Sequence, residues 1–383
     1  MPTAALPGSP GSPDLPDFTA PAPPPWSTEQ DHRLRCVHIR QETHDVKTFV
    51  LAPRAPRSFR YLPGQFITLE LDIAGRRINR CYTLSSTPTR PDLVSITVKR
   101  VPGGPVSNWL HEQLRVGMAL DVLGPGGAFS CFAAPAQRYL FLSGGSGITP
   151  LMSMARALHD LGSDADILFV HCARSPADVL FSDELGLMAR HMPHLRLATV
   201  CEQQAPGSAY AGHLGRLDAA LLARIAPDLQ QRDIYTCGPA PFMAAIHAYL
   251  SGAGFPMARY RQESFAFESL AQPVATALPA AGASTAPANA SPRTGAPAYQ
   301  VRLQKTGHQF DCPAEQTLLQ AAIAAGLRLP FSCTSGACGT CKSKKIAGQV
   351  RIEHAGGIRQ REIDQGWILP CCSKPLSDIV LDR

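Results

Sequence analysis

The chain has 383 residues, of which 45% are hydrophobic and 17% charged, with a formal net charge of +6. That length predicts two or three domains, since one takes on the order of 100–200 residues. The mild charge, with no block dense in Lys and Arg, argues against nucleic acid, and no run approaches the ~18 apolar residues of a membrane span. The N-terminus lacks a basic stretch followed by an apolar core, so no secretory leader is expected. Twelve cysteines are too few for a disulfide scaffold in a chain this long. Their clustering near the C-terminus points to metal or redox use in a reducing cytoplasm.

Residues 1–27 are rich in Pro, Ala, Gly and Ser and read as a disordered tail. Between 28 and 135, short β-type runs at 34–40, 46–51, 65–71, 93–100 and 119–123 are interrupted by one helical stretch at 106–114. The pattern predicts a small antiparallel β-barrel. Between 136 and 268, apolar runs at 139–143, 166–172, 196–201 and 233–237 alternate with helical patterns at 149–161, 181–190, 215–224 and 241–250. This alternation predicts an α/β unit with a parallel sheet covered on both faces. Residues 269–298 are nearly all Ala, Pro, Ser, Thr and Gly and read as a linker. Residues 299–383 form a third compact unit.

In that third unit Cys333, Cys338 and Cys341 stand as C-x₄-C-x₂-C, the spacing of a plant-type [2Fe-2S] centre. Three thiolates must converge on one small cluster from one loop, and Gly336 and Gly339 allow the turns that this needs. A structural zinc site would favour paired C-x₂-C knuckles, and only half of this loop has that spacing. The fourth ligand comes from farther along, at Cys371 or Cys372.

In the first unit Arg80-Cys81-Tyr82-Thr83 ends a barrel strand. It offers a cation for a phosphate, a ring to stack on a flat cofactor, and a hydroxyl. Such a strand alone is a weak signal. Downstream, Val98-Lys99 and the turn Gly103-Gly104-Pro105-Val106-Ser107 open a helix whose N-terminus can hold phosphate. In the second unit Gly144-Gly145-Ser146-Gly147-Ile148-Thr149-Pro150 follows a strand and opens a helix, the context of a dinucleotide-binding turn. Its spacing departs from G-x-G-x-x-G. Cys237-Gly238-Pro239 ends another strand before a helix.

Together these segments resemble the ferredoxin–NADP reductase superfamily, and residues 299–383 resemble the plant-type ferredoxins. The resemblance covers roughly residues 33–383. It implies an FAD-binding barrel (FMN as the alternative), a nicotinamide-binding domain and a β-grasp ferredoxin domain of α+β class. It implies that Arg80 binds the pyrophosphate, that Tyr82 stacks on the flavin and that Thr83 lies near the nitrogen taking the hydride. Val98, Lys99, Gly104, Val106 and Ser107 would complete the flavin contacts. Gly144, Gly145 and Gly147 would hold the nicotinamide pyrophosphate, with Thr149, Cys237, Gly238 and Pro239 beside the ring and Phe265 over the flavin. Pro375 and Asp378 select Cys371 as the fourth ligand, by the spacing of the ferredoxin family.

Glu202 follows the third strand, where a 2′-phosphate would need Arg or Lys. It favours NADH over NADPH, with Arg174 as the opposing signal. The order flavin, nicotinamide, ferredoxin resembles reductases of Rieske-type oxygenases and of hybrid-cluster proteins. It implies an electron path from NADH through flavin and [2Fe-2S] to an acceptor protein of one of those kinds. A non-enzymatic iron–sulfur carrier or zinc module is the contrasting class. The ferredoxin unit carries 11 Lys/Arg and 7 Asp/Glu. Lys342, Lys344 and Lys345 are therefore expected to face an acidic acceptor, and the linker is expected to let this unit swing.

Overall fold

The computed structural model describes residues 22–204, 210–264 and 297–383, apart from 328, 330, 332 and 333. The expected linker therefore lies outside the described residues except at its last two positions. Of the expected tail, residues 22–27 are described and belong to the fold. Trp26 is buried, its ring centroid is 5.1 Å from that of Phe59, and its backbone N–H donates to Ser58 O at 2.9 Å. An indole of that size has more to gain under the barrel than in water.

The first unit is built from β1 (Arg33–Thr43), β2 (Val46–Pro53), β3 (Phe66–Ile73), β4 (Arg76–Thr83), β5 (Val94–Lys99), helix α1 (Pro105–Glu112) and β6 (Ala119–Gly126). All pairings are antiparallel, in the order β4-β3-β6-β1-β2-β5. A bridge between Leu84 and Ile96 brings the two edge strands together, as in a barrel. Alternate residues point inward, so Leu34, Phe49, Leu51, Leu69 and Ile96 share one core with Leu110 of α1.

The second unit is a six-stranded parallel sheet. Its elements are β7 (Arg138–Gly144), α2 (Ile148–Asp160), β8 (Asp166–Ala173), α3 (Ser182–His191), β9 (Leu195–Cys201), β10 (His213–Leu214), α4 (Ala219–Ile225), β11 (Asp233–Gly238), α5 (Ala240–Gly252) and β12 (Tyr260–Ser264). The order is β10-β9-β8-β7-β11-β12. Along β7 the side chains alternate between two cores. Tyr139 and Phe141 pack with α2 and α3, and Leu140 and Leu142 with α4 and α5. Both faces are covered, which is why these strands read as continuous apolar runs. The edge strand β12 is not among the predicted runs, because Tyr260–Ser264 is polar in sequence.

The third unit comprises β13 (Ala298–Leu303), β14 (Gln309–Pro313), α6 (Leu318–Ala324), β15 (Ser343–Ala347), β16 (Val350–Ile352), α7 (Gln360–Asp364), β17 (Trp367–Ile368), β18 (Ser373–Pro375) and β19 (Ile379–Leu381). Its main sheet runs β14-β13-β19-β15-β17, with β13 and β19 parallel. Helix α6 starts at a capping box: Thr317 Oγ1 accepts from Gln320 N at 3.2 Å, and Gln320 Oε1 accepts from Thr317 N at 3.0 Å. Leu318, Leu319 and Ala322 then pack on the sheet.

Candidate flavin, nicotinamide and iron–sulfur sites

The barrel and the parallel sheet meet along a groove. A cavity of about 470 Å³ is lined by Arg80, Tyr82, Thr83, Val98 and Lys99 from the barrel and by Gly147, Thr149, Gly238 and Pro239 from the sheet. A second cavity, of about 510 Å³, continues from it and shares Lys99, Gly144, Ser146 and Pro239. It runs out to Arg174, Glu202 and Arg216. Two residue groups far apart in the chain thus border two adjoining cavities, each of the size of a ligand pocket.

The glycine turn is explained by packing as much as by conformation. Gly145 has φ +51°, a region that L side chains rarely adopt. Gly147 has ordinary dihedrals, but a Cβ there would lie 2.3 Å from Cys237 O and 2.6 Å from Gly238 N. A Cβ at Gly238 would lie 2.7 Å from the Phe242 ring. The two strand ends, Gly144–Gly147 and Cys237–Gly238, are thus packed back to back, and only glycine permits it. Thr149 is buried, and its Oγ1 donates to Ser146 O at 3.2 Å, which fastens the turn.

Cys237 is fully buried, and burial pushes its thiol well above the usual range, so it stands as a neutral group. Thr83 is buried beside Tyr82 on β4. Gly104, Val106 and Ser107 do not line the cavity. Val106 lies in the barrel core, and Ser107 Oγ is used inside the turn, accepting from Val101 N at 3.1 Å and donating to Gly104 O at 3.3 Å. Only the backbone at the start of α1 remains for the phosphate contact expected of them. Phe265 lies outside the described residues.

One residue beside the site, on the strand next to Cys237 and not in the lining of either cavity, has no signal in the sequence pattern. Glu263 on β12 is in register with Cys237. Among the described residues its buried Oε2 has no hydrogen-bond partner. Burial pushes the carboxyl up to about 8, and its charge is felt at both Cys237 and Cys81. Burial thus favours the protonated form of this carboxyl. Flavin reduction by nicotinamide is expected to fall as pH rises past about 8, where a bare charge develops at this position. Glu263→Gln should keep the rate flat over that range in stopped-flow reduction. Stability has the same sign. The raised value contributes stability that is full below the usual 4.5 and is lost as pH rises through about 8.

In the third unit Cys338, Cys341 and Cys371 are all buried, and the sulfurs of Cys341 and Cys371 are 3.2 Å apart. Cys333 lies outside the described residues. Gly336 and Gly339 have φ of +72° and +69°, as the tight loop requires. Cys372 is half-buried, its Sγ donates to Leu369 O at 3.6 Å, and it packs against Gly336. Cys341 and Cys371 thus form a buried sulfur pair, whereas Cys338 packs with Phe66 and Cys81 of the barrel and hydrogen-bonds Cys81, so among the described residues two of the four expected ligands are brought together. The neighbouring Cys371 and burial both push the Cys341 thiol up.

The comparisons with known proteins agree with this geometry. Residues 33–131 match the oxidoreductase FAD-binding domain, 141–248 the oxidoreductase NAD-binding domain and 301–376 the 2Fe-2S iron–sulfur cluster binding domain. The chain is 45% identical to the glycine betaine monooxygenase reductase subunit of Pseudomonas aeruginosa, over 92% of this chain and 95% of that one. The chain belongs to the family of oxygenase reductase components. It is 38% identical to the stachydrine N-demethylase reductase subunit of Rhizobium meliloti, over 93% and 97% of the two chains. Phthalate dioxygenase reductase shares the fold at a TM-score of 0.52 and 24% identity, over 92% of this chain and 97% of that one. This reductase therefore carries electrons from NAD(P)H through FAD and [2Fe-2S] to a protein acceptor, which discards the non-enzymatic carrier and the zinc module. No helix among the described residues is long and apolar enough to cross a membrane.

Proposed function

We propose that this reductase serves an oxygenase that removes an N-methyl group from a betaine. The supporting observation is the ranking of its relatives. Identity is 45% and 38% to the glycine betaine and stachydrine reductases, and 33% to the 3-ketosteroid-9-alpha-monooxygenase reductase component of Rhodococcus rhodochrous. Glycine betaine and stachydrine are both N-methylated ammonium carboxylates. The test is reconstitution of the pure reductase with a betaine oxygenase component and NADH. Formaldehyde released from glycine betaine or stachydrine is the expected result. Support of a steroid oxygenase with none from the betaine system would sink the proposal. A Rieske centre in the acceptor is part of this reading, and reduction of a hybrid-cluster protein in its place would replace it.

The domain division at 28–135, 136–268 and 299–383 and the cytoplasmic location belong to the same proposal. So do the site assignments. Held there, FAD would supply the chemistry that converts a two-electron hydride donor into single electrons. The chain's own part is placement. Arg80 supplies positive charge along the flavin groove together with Lys99, which also faces Asp45 at 3.4 Å, Tyr82 supplies a stacking face, and the lining glycines Gly144, Gly147 and Gly238 with Pro239 set the nicotinamide ring against it. Cys333, Cys338, Cys341 and Cys371 hold the cluster. Closely held reactants convert a two-body step into a positioned one, the main source of rate here.

NADH is proposed as the donor. Glu202 Oε1 lies 3.3 Å from Arg216, and Arg174 is taken up by Asp45 at 3.2 Å and by Asp178 at 3.7 Å. The cations near the outer cavity thus already face carboxylates, and Glu202 repels a 2′-phosphate. Glu202→Gln releases Arg216 and should lower the NADH-over-NADPH preference in kcat/KM about tenfold, equivalent to ~1.4 kcal/mol. An unchanged ratio would refute the assignment.

A further inference from the structure

The third unit is docked on the barrel through a group of buried charges. Glu70 of β3 is 6% exposed, Arg359 2% and Glu362 9%. Arg359 Nη2 donates to Glu70 Oε2 at 2.7 Å and to Val122 O at 2.8 Å. Lys342 Nζ, one residue after Cys341, reaches Glu70 Oε1 at 3.1 Å and Glu362 Oε1 at 2.8 Å. Lys342 is therefore not part of an exposed patch awaiting an acceptor. Lys344 lies over the Trp367 ring and donates to Gln365 O, and Lys345 donates to Gly348 O. The expected lysine face is spent on internal contacts.

Beside this network the cluster loop rests on the flavin strand. Phe66 and Cys81 of the barrel pack with Ala337 and Cys338, and Asn79 Nδ2 donates to Gly339 O at 3.4 Å. Glu70 is in register with Asn79, and Thr68 with Cys81. One hairpin, β3–β4, thus carries the flavin residues Arg80, Tyr82 and Thr83 and, one turn of the pleat away, the carboxylate that receives two cations of the ferredoxin unit. Two positive and two negative charges balance there, and Glu70 is the barrel's carboxylate among them. Removing one partner of such a buried group leaves the others uncompensated, which is far costlier than losing a surface pair.

We infer that Glu70 is a positioning residue for electron transfer from flavin to cluster, acting by fixing the Cys338–Lys342 loop against the β3–β4 hairpin. The inference rests on the proposed flavin and cluster assignments. Each transfer moves one electron across this contact, two per hydride taken in, and no proton need cross. Electron transfer slows as donor and acceptor separate, so a loop released from the hairpin is what the rate should feel.

The experiment compares the full-length protein with Glu70→Gln, Arg359→Gln and Cys371→Ser. The readouts are iron content, stopped-flow flavin reduction by NADH, and reduction of ferricyanide and of cytochrome c. A dye whose reduction fails in Cys371→Ser reports on the cluster, and one whose reduction survives reports on the flavin. Glu70→Gln and Arg359→Gln should keep iron and the flavin-dependent rates and lose about tenfold or more of the cluster-dependent rate. Unchanged cluster-dependent rates in both overturn the inference. Loss of iron in both also overturns it, since the contact would then serve cluster assembly. If Cys371→Ser itself changes neither dye, the ligand assignment has failed, a different result from failure of Glu70.

Discussion

Replacing Cys371 by Ser should abolish the iron–sulfur absorption and the cluster-dependent reduction of an acceptor, while NADH still bleaches the flavin. The reason is geometric. Cys371 Sγ lies 3.2 Å from Cys341 Sγ in a buried site, whereas the half-buried Cys372 thiol is turned to Leu369 O and packs against Gly336. Loss of a group that merely supports a metal ligand costs about 10–100-fold in affinity, and loss of a ligand itself should cost at least that. Cys372→Ser should retain iron and acceptor reduction. Iron analysis and the visible spectrum before and after NADH decide it. Retention of the cluster by Cys371→Ser with its loss in Cys372→Ser would reverse the assignment.

Gly147→Ala should cripple nicotinamide use while leaving flavin bound. The added Cβ would sit 2.3 Å from Cys237 O, 2.5 Å from Cys237 C and 2.6 Å from Gly238 N, all backbone atoms. Nothing flexible can give way, so the end of β11 must separate from the β7–α2 turn. Overpacking of this sort costs about 1–3 kcal/mol in stability. The displaced segment is the one assigned to the nicotinamide, so flavin reduction by NADH should slow by roughly tenfold to a hundredfold. Gly145 is the instructive contrast. A Cβ there meets no protein atom within 4 Å, so within the protein its cost is the strain of φ +51°, of order 1–2 kcal/mol. Stopped-flow reduction at increasing NADH, with thermal unfolding alongside, separates the two. Wild-type rates in Gly147→Ala would show that the two turns are not coupled as described.

Much of this protein was legible because its chemistry is carried by contiguous segments. The cysteine loop, the Arg80–Thr83 strand end and the Gly144–Pro150 turn each hold their working residues within a few positions. Turn geometry and ligand spacing are local properties, and a sequence displays them. The alternation of strand and helix likewise announced a parallel sheet, since period 2 and period 3.6 leave different apolar patterns. The least legible parts were those whose local composition argued the wrong way. Trp26 follows a proline run and reads as tail, yet it is buried against Phe59. Lys342, Lys344 and Lys345 read as a solvent-facing patch, yet Lys342 closes a buried charge network.

By itself, then, the sequence determined which cofactors the chain is built for and in what order their domains follow, because each cofactor demands a short run of particular residue types. The tertiary structure alone decided what passes between domains. Glu70 meets Arg359 across 289 positions, and Glu263 comes beside Cys237 through a sheet edge of polar residues. Hydrophobic period says that a face is buried, not what it is buried against. A charge's role depends on partners that only folding brings within about 4 Å.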